Sequence, residues 1–172
     1  HAADTRFGAG IDEACTLLDA FRQDAVKARY ADWEELLAYC RRSADPVGRF
    51  LLRLHGEAKG AQPAADAIMR QVWPDYKDRD ALDRVYVPVP WMDAAGGEAA
   101  FFDPANAAPR RAVLDAALDR VDDLLARAAE LPARVRSRRL AAESAVTLAL
   151  ARRLAAKLRV GDPVATRVAL GK

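Results

Sequence analysis

The sequence predicts an all-α fold, and two observations carry that expectation. The chain is rich in Ala, Leu and Arg, 52% hydrophobic but only 7% aromatic, a composition that suits packed helices better than a sheet. Apolar residues also recur at three- and four-residue spacing over several long stretches, the signature of helices with one buried face. At 172 residues the chain fits one domain, residues 1–172, able to bury about two-thirds of its unfolded surface.

Taken in order, residues 1–10 are short, polar and glycine-bearing, with no regular pattern. A first helix is predicted from Ile11, where Ala14, Leu17, Leu18, Phe21, Ala25 and Ala28 form one stripe. A second begins at Asp32, a capping residue, with Glu34 and Glu35 where a helix N-terminus favours carboxylates. Pro46 has no N–H to donate and Gly48 no Cβ, so this helix must bend or break near Asp45. A third helix then runs to His55-Gly56, with Gly56 as its C-terminal cap and Glu57–Pro63 as a linker. Asp66–Trp73 reads as a short helix ended by Pro74, Val85–Pro90 as extended because alternate prolines oppose a helix, and Ala94–Ala100 as a loop. Asp103-Pro104 caps a long helix through Val113, Leu114, Leu118, Val121, Leu125 and Ala128. Pro132 opens the last long helix. Its middle, Ser144–Ala151, is small or apolar all round and is expected to be a buried central rod. Gly161 ends it, and Asp162-Pro163 opens a short final helix.

Charge is divided unevenly. Residues 131–172 hold ten Lys/Arg against two Asp/Glu, so residues 1–130 are net acidic. A basic end of this kind reads first as a solvated arginine face, and second as a surface for anionic lipid. It is the only feature that would suit nucleic acid, and no nucleic-acid partner is expected. Cys15 and Cys40 lack disulfide or metal spacing and read as small core residues of a reducing compartment. No leader segment is expected before the first helix, no run of eighteen apolar residues occurs, and the sequence starts at His1. The expectation is a cytoplasmic chain that was trimmed, cut from something longer or numbered from an internal point, in peripheral contact with the inner membrane.

The stretch Tyr30–Arg49, YADWEELLAYCRRSADPVGR, holds a helix, a corner and the start of another helix. Tyr39 lies four residues before Ser43, so its hydroxyl is expected to point along the broken end. Downstream, Asp75, Asp78, Asp80 and Asp83 fall within nine residues. On a helix, Asp75 and Asp78 would lie about 60° apart, and paired carboxylates can share Mg2+ that in turn holds a diphosphate. Acidic clusters in charged loops are more commonly just solvated. His55 reads as a surface or cap residue, Trp33, Trp73 and Trp91 as packing aromatics, and Asp24 as a helix-face ion-pair partner of Arg22 and Lys27.

Four stretches together carry a resemblance: AFRQDAVKARYADWEELLAYCRRSADPVGR, DRVYVP at Asp83–Pro88, LPARVRSRRLAAESAV at Leu131–Val146 and GDPVATRVALGK at the end. In this order they resemble the squalene/phytoene synthase family, most nearly its bacterial branch making hydroxysqualene or squalene for hopanoids. The resemblance implies an isoprenoid synthase-like helical bundle, here partial. It also implies a cavity in which two D-x-x-x-D motifs hold Mg2+ and the diphosphate of farnesyl or presqualene diphosphate.

Residue by residue, it implies catalytic roles for Tyr39, Arg84 and Tyr86. Ser43, Ala44, Val47 and Gly48 would shape the pocket, Gln71 would take the place of the family's asparagine, and Asp75 and Asp78 would be the metal ligands. Residues 1–16 contain Asp4, Asp12 and Glu13 but no paired motif, so the N-terminal helices with the first acidic motif are expected to be missing. Pro74 also interrupts the helix that would present Asp75 and Asp78. The alternative expectation is therefore an impaired family member or fragment serving as a binding or scaffold protein beside partner enzymes of the same pathway.

Overall fold

The structure, a computed structural model, describes residues 10–57, 82–166 and 168–170. Among these residues every regular element is a helix: α1 (Ile11–Asp24), α2 (Trp33–Ser43), α3 (Asp45–Leu54), α4 (Val89–Asp93), α5 (Glu98–Phe102), α6 (Ala107–Ala128), α7 (Leu131–Arg134) and α8 (Arg138–Val160). The all-α expectation holds. The chain forms two compact units. One is drawn from His1–Val26, Leu37–Gln71 and Leu124–Leu148, the other from Lys27–Leu36, Val72–Asp123 and Ala149–Lys172.

In the first unit, α1 packs on α3, and Arg53 of α3 reaches Glu13 of α1 at 2.6 Å. Ala20, Leu37, Cys40, Leu52, Leu125 and Leu148 are buried there, each large aliphatic group contributing about 1.5–3 kcal/mol by leaving water. Asp32 caps α2 as expected: its Oδ1 accepts from the Glu35 N–H at 2.7 Å. α3 ends in a Schellman turn, with Gly56 at φ 68. The N–H of Glu57 donates to Leu52 O and that of Gly56 to Arg53 O, both at 2.9 Å.

Several expectations are corrected. α1 stops at Asp24, so Ala28 leaves the helix, and its carbonyl accepts from Val85 in the second unit instead. Cys15 is exposed; only Cys40 is a core residue. The helix expected from Pro132 is interrupted after Arg134. The Glu57 carboxylate there accepts the N–H groups of Arg136 and Ser137, each at 2.8 Å, donors that a continuous helix would use internally. α8 is buried on one side only. Ser144 and Leu148 are covered, while Val146 and Leu150 are 58% and 47% exposed, so residues 144–151 are not a rod buried all round.

The second unit's core joins Val85, Val87, Met92, Ala95, Phe101, Val113 and Leu114. Pro88 and Pro90 do not exclude a helix after Val87. Pro90 occupies the first turn of α4, where no N–H is needed. Residues 94–100 are not all loop either: after a corner with Gly97 at φ 97, α5 forms. Asp103 makes a tight turn, its Oδ1 accepting from Ala105 N–H at 2.9 Å, and α6 begins only at Ala107. Asp162-Pro163 makes a single turn rather than a helix, closed by Thr166 N–H on Asp162 O at 2.9 Å. The reason is Arg110, fully buried, whose guanidinium holds the Asp162 carboxylate and the carbonyls of Phe101 and Asp103.

Two measurements test this packing. Arg110→Ala leaves Asp162 and two carbonyls without their donor and should lower unfolding stability by about 3 kcal/mol in urea titrations. The two backbone donors at Arg136 and Ser137 hold the Glu57 carboxyl below the ordinary glutamate range. Its stabilising effect is therefore present above that range and lost as pH falls through the lowered value. Wild type should accordingly lose stability more steeply than Glu57→Gln as pH drops from about 5, and parallel acid profiles would contradict the capping role.

Candidate functional site

The predicted site residues fall into two groups, one in each unit. In the first unit, α2 carries Tyr39, which is 9% exposed. Its hydroxyl does not run along the broken end; it donates to Asp24 Oδ2 at 2.9 Å, where α1 stops. Asp24 is thus held by a tyrosine. Arg22 pairs with Asp19 one turn back, and Lys27, beyond the helix end, pairs with Glu35.

The break itself forms as the sequence implies. Ala44 sits between α2 and α3 at φ −113, and Pro46 lies in the first turn of α3. Ser43 and Ala44 are half-buried, Gly48 is buried and Val47 is 40% exposed. Asp45 is fully buried in that first turn, where the unpaired N–H groups of a helix start favour negative charge. Its carboxylate lies 3.7 Å from Arg49.

In the second unit, the Asp83–Pro88 segment is a short extended ribbon pinned at both ends. Val85 N–H donates to Ala28 O at 2.9 Å and Val89 N–H to Tyr30 O at 2.8 Å. Extended backbone sends alternate side chains to opposite sides. Val85 and Val87 enter the core, while Arg84 and Tyr86 stay half-buried. The Tyr86 ring stacks on the buried Tyr30 at 5.8 Å. Trp33 and Trp91 stack nearly parallel at 5.5 Å, so the two tryptophans described here pack as expected. They line a cleft with Leu36, Tyr86, Val87 and Val113 that retains only about 20 Å³, room for one water.

The residues that sequence reasoning missed are Arg29 and Glu98. Arg29 forks onto Glu98, Nε to Oε2 at 2.6 Å and Nη2 to Oε1 at 2.8 Å, and Nη2 also reaches Asp83 Oδ1 at 2.6 Å. These carboxylates, Glu98 first, raise the basicity of the guanidinium above the ordinary arginine value. Asp83 itself has φ 50, a left-handed conformation tolerated by Gly, Asn and Asp. Gln71, Asp75, Asp78 and Trp73 lie outside the described residues, and among the described ones no three His, Cys, Asp or Glu side chains cluster as a metal site. No described helix is long and apolar enough to cross a membrane.

Comparison with known proteins places this geometry in context. The squalene/phytoene synthase family profile matches residues 1–171. The hydroxysqualene synthase of Rhodopseudomonas palustris is 38% identical over 164 residues, covering 91% of this chain and 56% of that protein. That of Zymomonas mobilis is 34% identical over 175 residues, covering 98% and 58%. The crystal structure of squalene synthase HpnC from Alicyclobacillus acidocaldarius superimposes with a TM-score of 0.74 at 28% identity, covering 87% of this chain and 59% of that one. The chain therefore spans just over half the length of the curated relatives named here.

If the Tyr39–Asp24 bond is part of the fold, Tyr39→Phe should lower stability by about 1 kcal/mol. A urea midpoint indistinguishable from wild type would show that the bond contributes nothing to folding.

Proposed function

The chain belongs to the squalene/phytoene synthase family, and we propose that it acts in prenyl-diphosphate chemistry of the kind its relatives' names describe, forming hydroxysqualene or squalene. The observation that carries this reading is the pinned ribbon. Two backbone hydrogen bonds fix residues 85 and 89, so Arg84 and Tyr86 leave the core on a rigid support. Such a support suits recognition of a fixed anion.

In this reading the Arg84 guanidinium offers paired donors to diphosphate oxygens, a geometry suited to a tetrahedral oxyanion. Tyr86 adds a hydroxyl on the same side of the ribbon. For Tyr39, Ser43, Ala44, Val47 and Gly48 of the first unit, the proposal rests on the resemblance of their stretch to the family, which assigns the tyrosine to the reacting carbons and the small residues to a pocket wall. Gln71, outside the described residues, would in the same reading contribute a polar contact to the substrate. Asp75 and Asp78 would hold Mg2+, which when bound supplies positive charge to offset the leaving diphosphate. The protein's own part is to orient the prenyl chain and keep water from the carbocation.

Peripheral contact with anionic membrane lipid belongs to the same proposal, because the prenyl substrate is apolar. Arg134, Arg136, Arg138 and Arg139 are all exposed. Arg134 and Arg139 are paired with Glu130 and Glu143, which weakens the attraction but leaves a net positive run.

Isothermal titration of the chain with a non-hydrolysable farnesyl diphosphate analogue tests the site. Heat is expected with Mg2+ present, and Arg84→Ala should weaken binding about tenfold, roughly the 1.4 kcal/mol of one charged hydrogen bond. No heat with or without Mg2+ would sink the enzymatic reading and leave the scaffold one.

A further inference from the structure

We infer that Arg29 is a positioning residue, whose guanidinium sets the ribbon that carries Arg84 and Tyr86 and has no donor left over for a ligand. An arginine side chain has five N–H groups in a fixed planar fork. In this chain each has an acceptor. Nε donates to Glu98 Oε2, and Nη2 to Glu98 Oε1 and Asp83 Oδ1. Nη1 donates to the carbonyls of Ala28, at 3.0 Å, and Asp83. The acceptors come from three separate pieces of chain: the segment before α2, the head of the ribbon and the first turn of α5.

The positions of these acceptors give the bond set a direction of action. Asp83 immediately precedes Arg84, and its left-handed backbone turns the chain into the ribbon. Arg29 grips that residue twice, through its carboxylate and its carbonyl. Ala28 O accepts from both Arg29 and Val85 N–H, so the guanidinium and the first ribbon hydrogen bond share one anchor. Glu98 holds the adjacent edge of the fork, Nε and Nη2, and so fixes the guanidinium plane. The Tyr30–Tyr86 stack follows, one residue after Arg29 and one after Val85. Lysine would preserve the charge but has three donors radiating from one atom, so it cannot hold Glu98 as a fork and both Asp83 oxygens together.

The inference rests on the proposed role of Arg84 and Tyr86, but its test separates the two. Arg29→Lys, Glu98→Gln and a control, Val121→Ala, which removes buried bulk from α6 in the same unit, are made in the full chain and checked for native circular dichroism. Amide exchange is followed at Val85 and Val89, and calorimetry with inorganic diphosphate plus Mg2+ gives affinity. Arg29→Lys is expected to speed Val85 exchange about tenfold or more and to weaken diphosphate binding by a similar factor. Glu98→Gln, which keeps one acceptor of the fork, should show a smaller change of both, and Val121→Ala should leave diphosphate affinity unchanged.

Unchanged Val85 exchange in Arg29→Lys overturns the inference. So does faster exchange with unaltered affinity, or an equal loss of affinity in Val121→Ala, which would reduce Arg29 to a general stabiliser. If wild type binds no diphosphate at all, the proposed function fails. Val85 exchange then decides by itself whether Arg29 sets the ribbon.

Discussion

A buried guanidinium must find acceptors for its donors, because no water is available to take them. In the second unit that constraint fixes Arg110, which is fully buried in the first turns of α6. It draws together the end of α5, the Asp103 turn and the Asp162 turn after α8. Phe101, whose carbonyl accepts from Arg110, is also a member of the apolar core beneath the ribbon. The polar knot and the apolar cluster therefore support each other. The carbonyls set where Phe101 lies, and Phe101 with Val113 and Leu114 forms the floor against which Val85 and Val87 pack.

The Asp162 carboxyl shows how the terms balance. Burial opposes its charge, yet the Arg110 hydrogen bonds and the Val164 N–H more than offset this, and it titrates below the ordinary aspartate range. A charge pair in this setting contributes less to net stability than its short contacts suggest, since both partners were desolvated. What it supplies is geometry: an arginine fork accepts few arrangements of its acceptors, whereas an apolar contact tolerates many.

The same logic recurs at Glu57 and Asp45 in the first unit. Each is a carboxylate next to helix-start N–H groups, Glu57 at the gap before α8 and Asp45 in the first turn of α3. Breaks in helices leave backbone donors unsatisfied; Glu57 accepts two of them directly, while Asp45 places a buried negative charge in the first turn of α3. The corner after Tyr39 is thereby held by its own chemistry, with Tyr39 itself tied back to Asp24.

The all-α class, the cap at Asp32, the break before Pro46 and the turn at Gly56 were legible in the sequence. Each follows from the local chemistry of one or two residues: a side-chain acceptor, a missing N–H, a missing Cβ. The family was legible too, because four short motifs keep their order over most of the chain. Arg29, Glu98 and Arg110 were not legible. Their acceptors lie up to 69 residues away, and nothing in the neighbouring residues marks one arginine among many as the buried one. The one-sided burial of α8 and the gap before it were likewise decided by tertiary packing. Periodicity reports how apolar a face is, whereas burial depends on which other segments reach it, and that is a property of the folded chain alone.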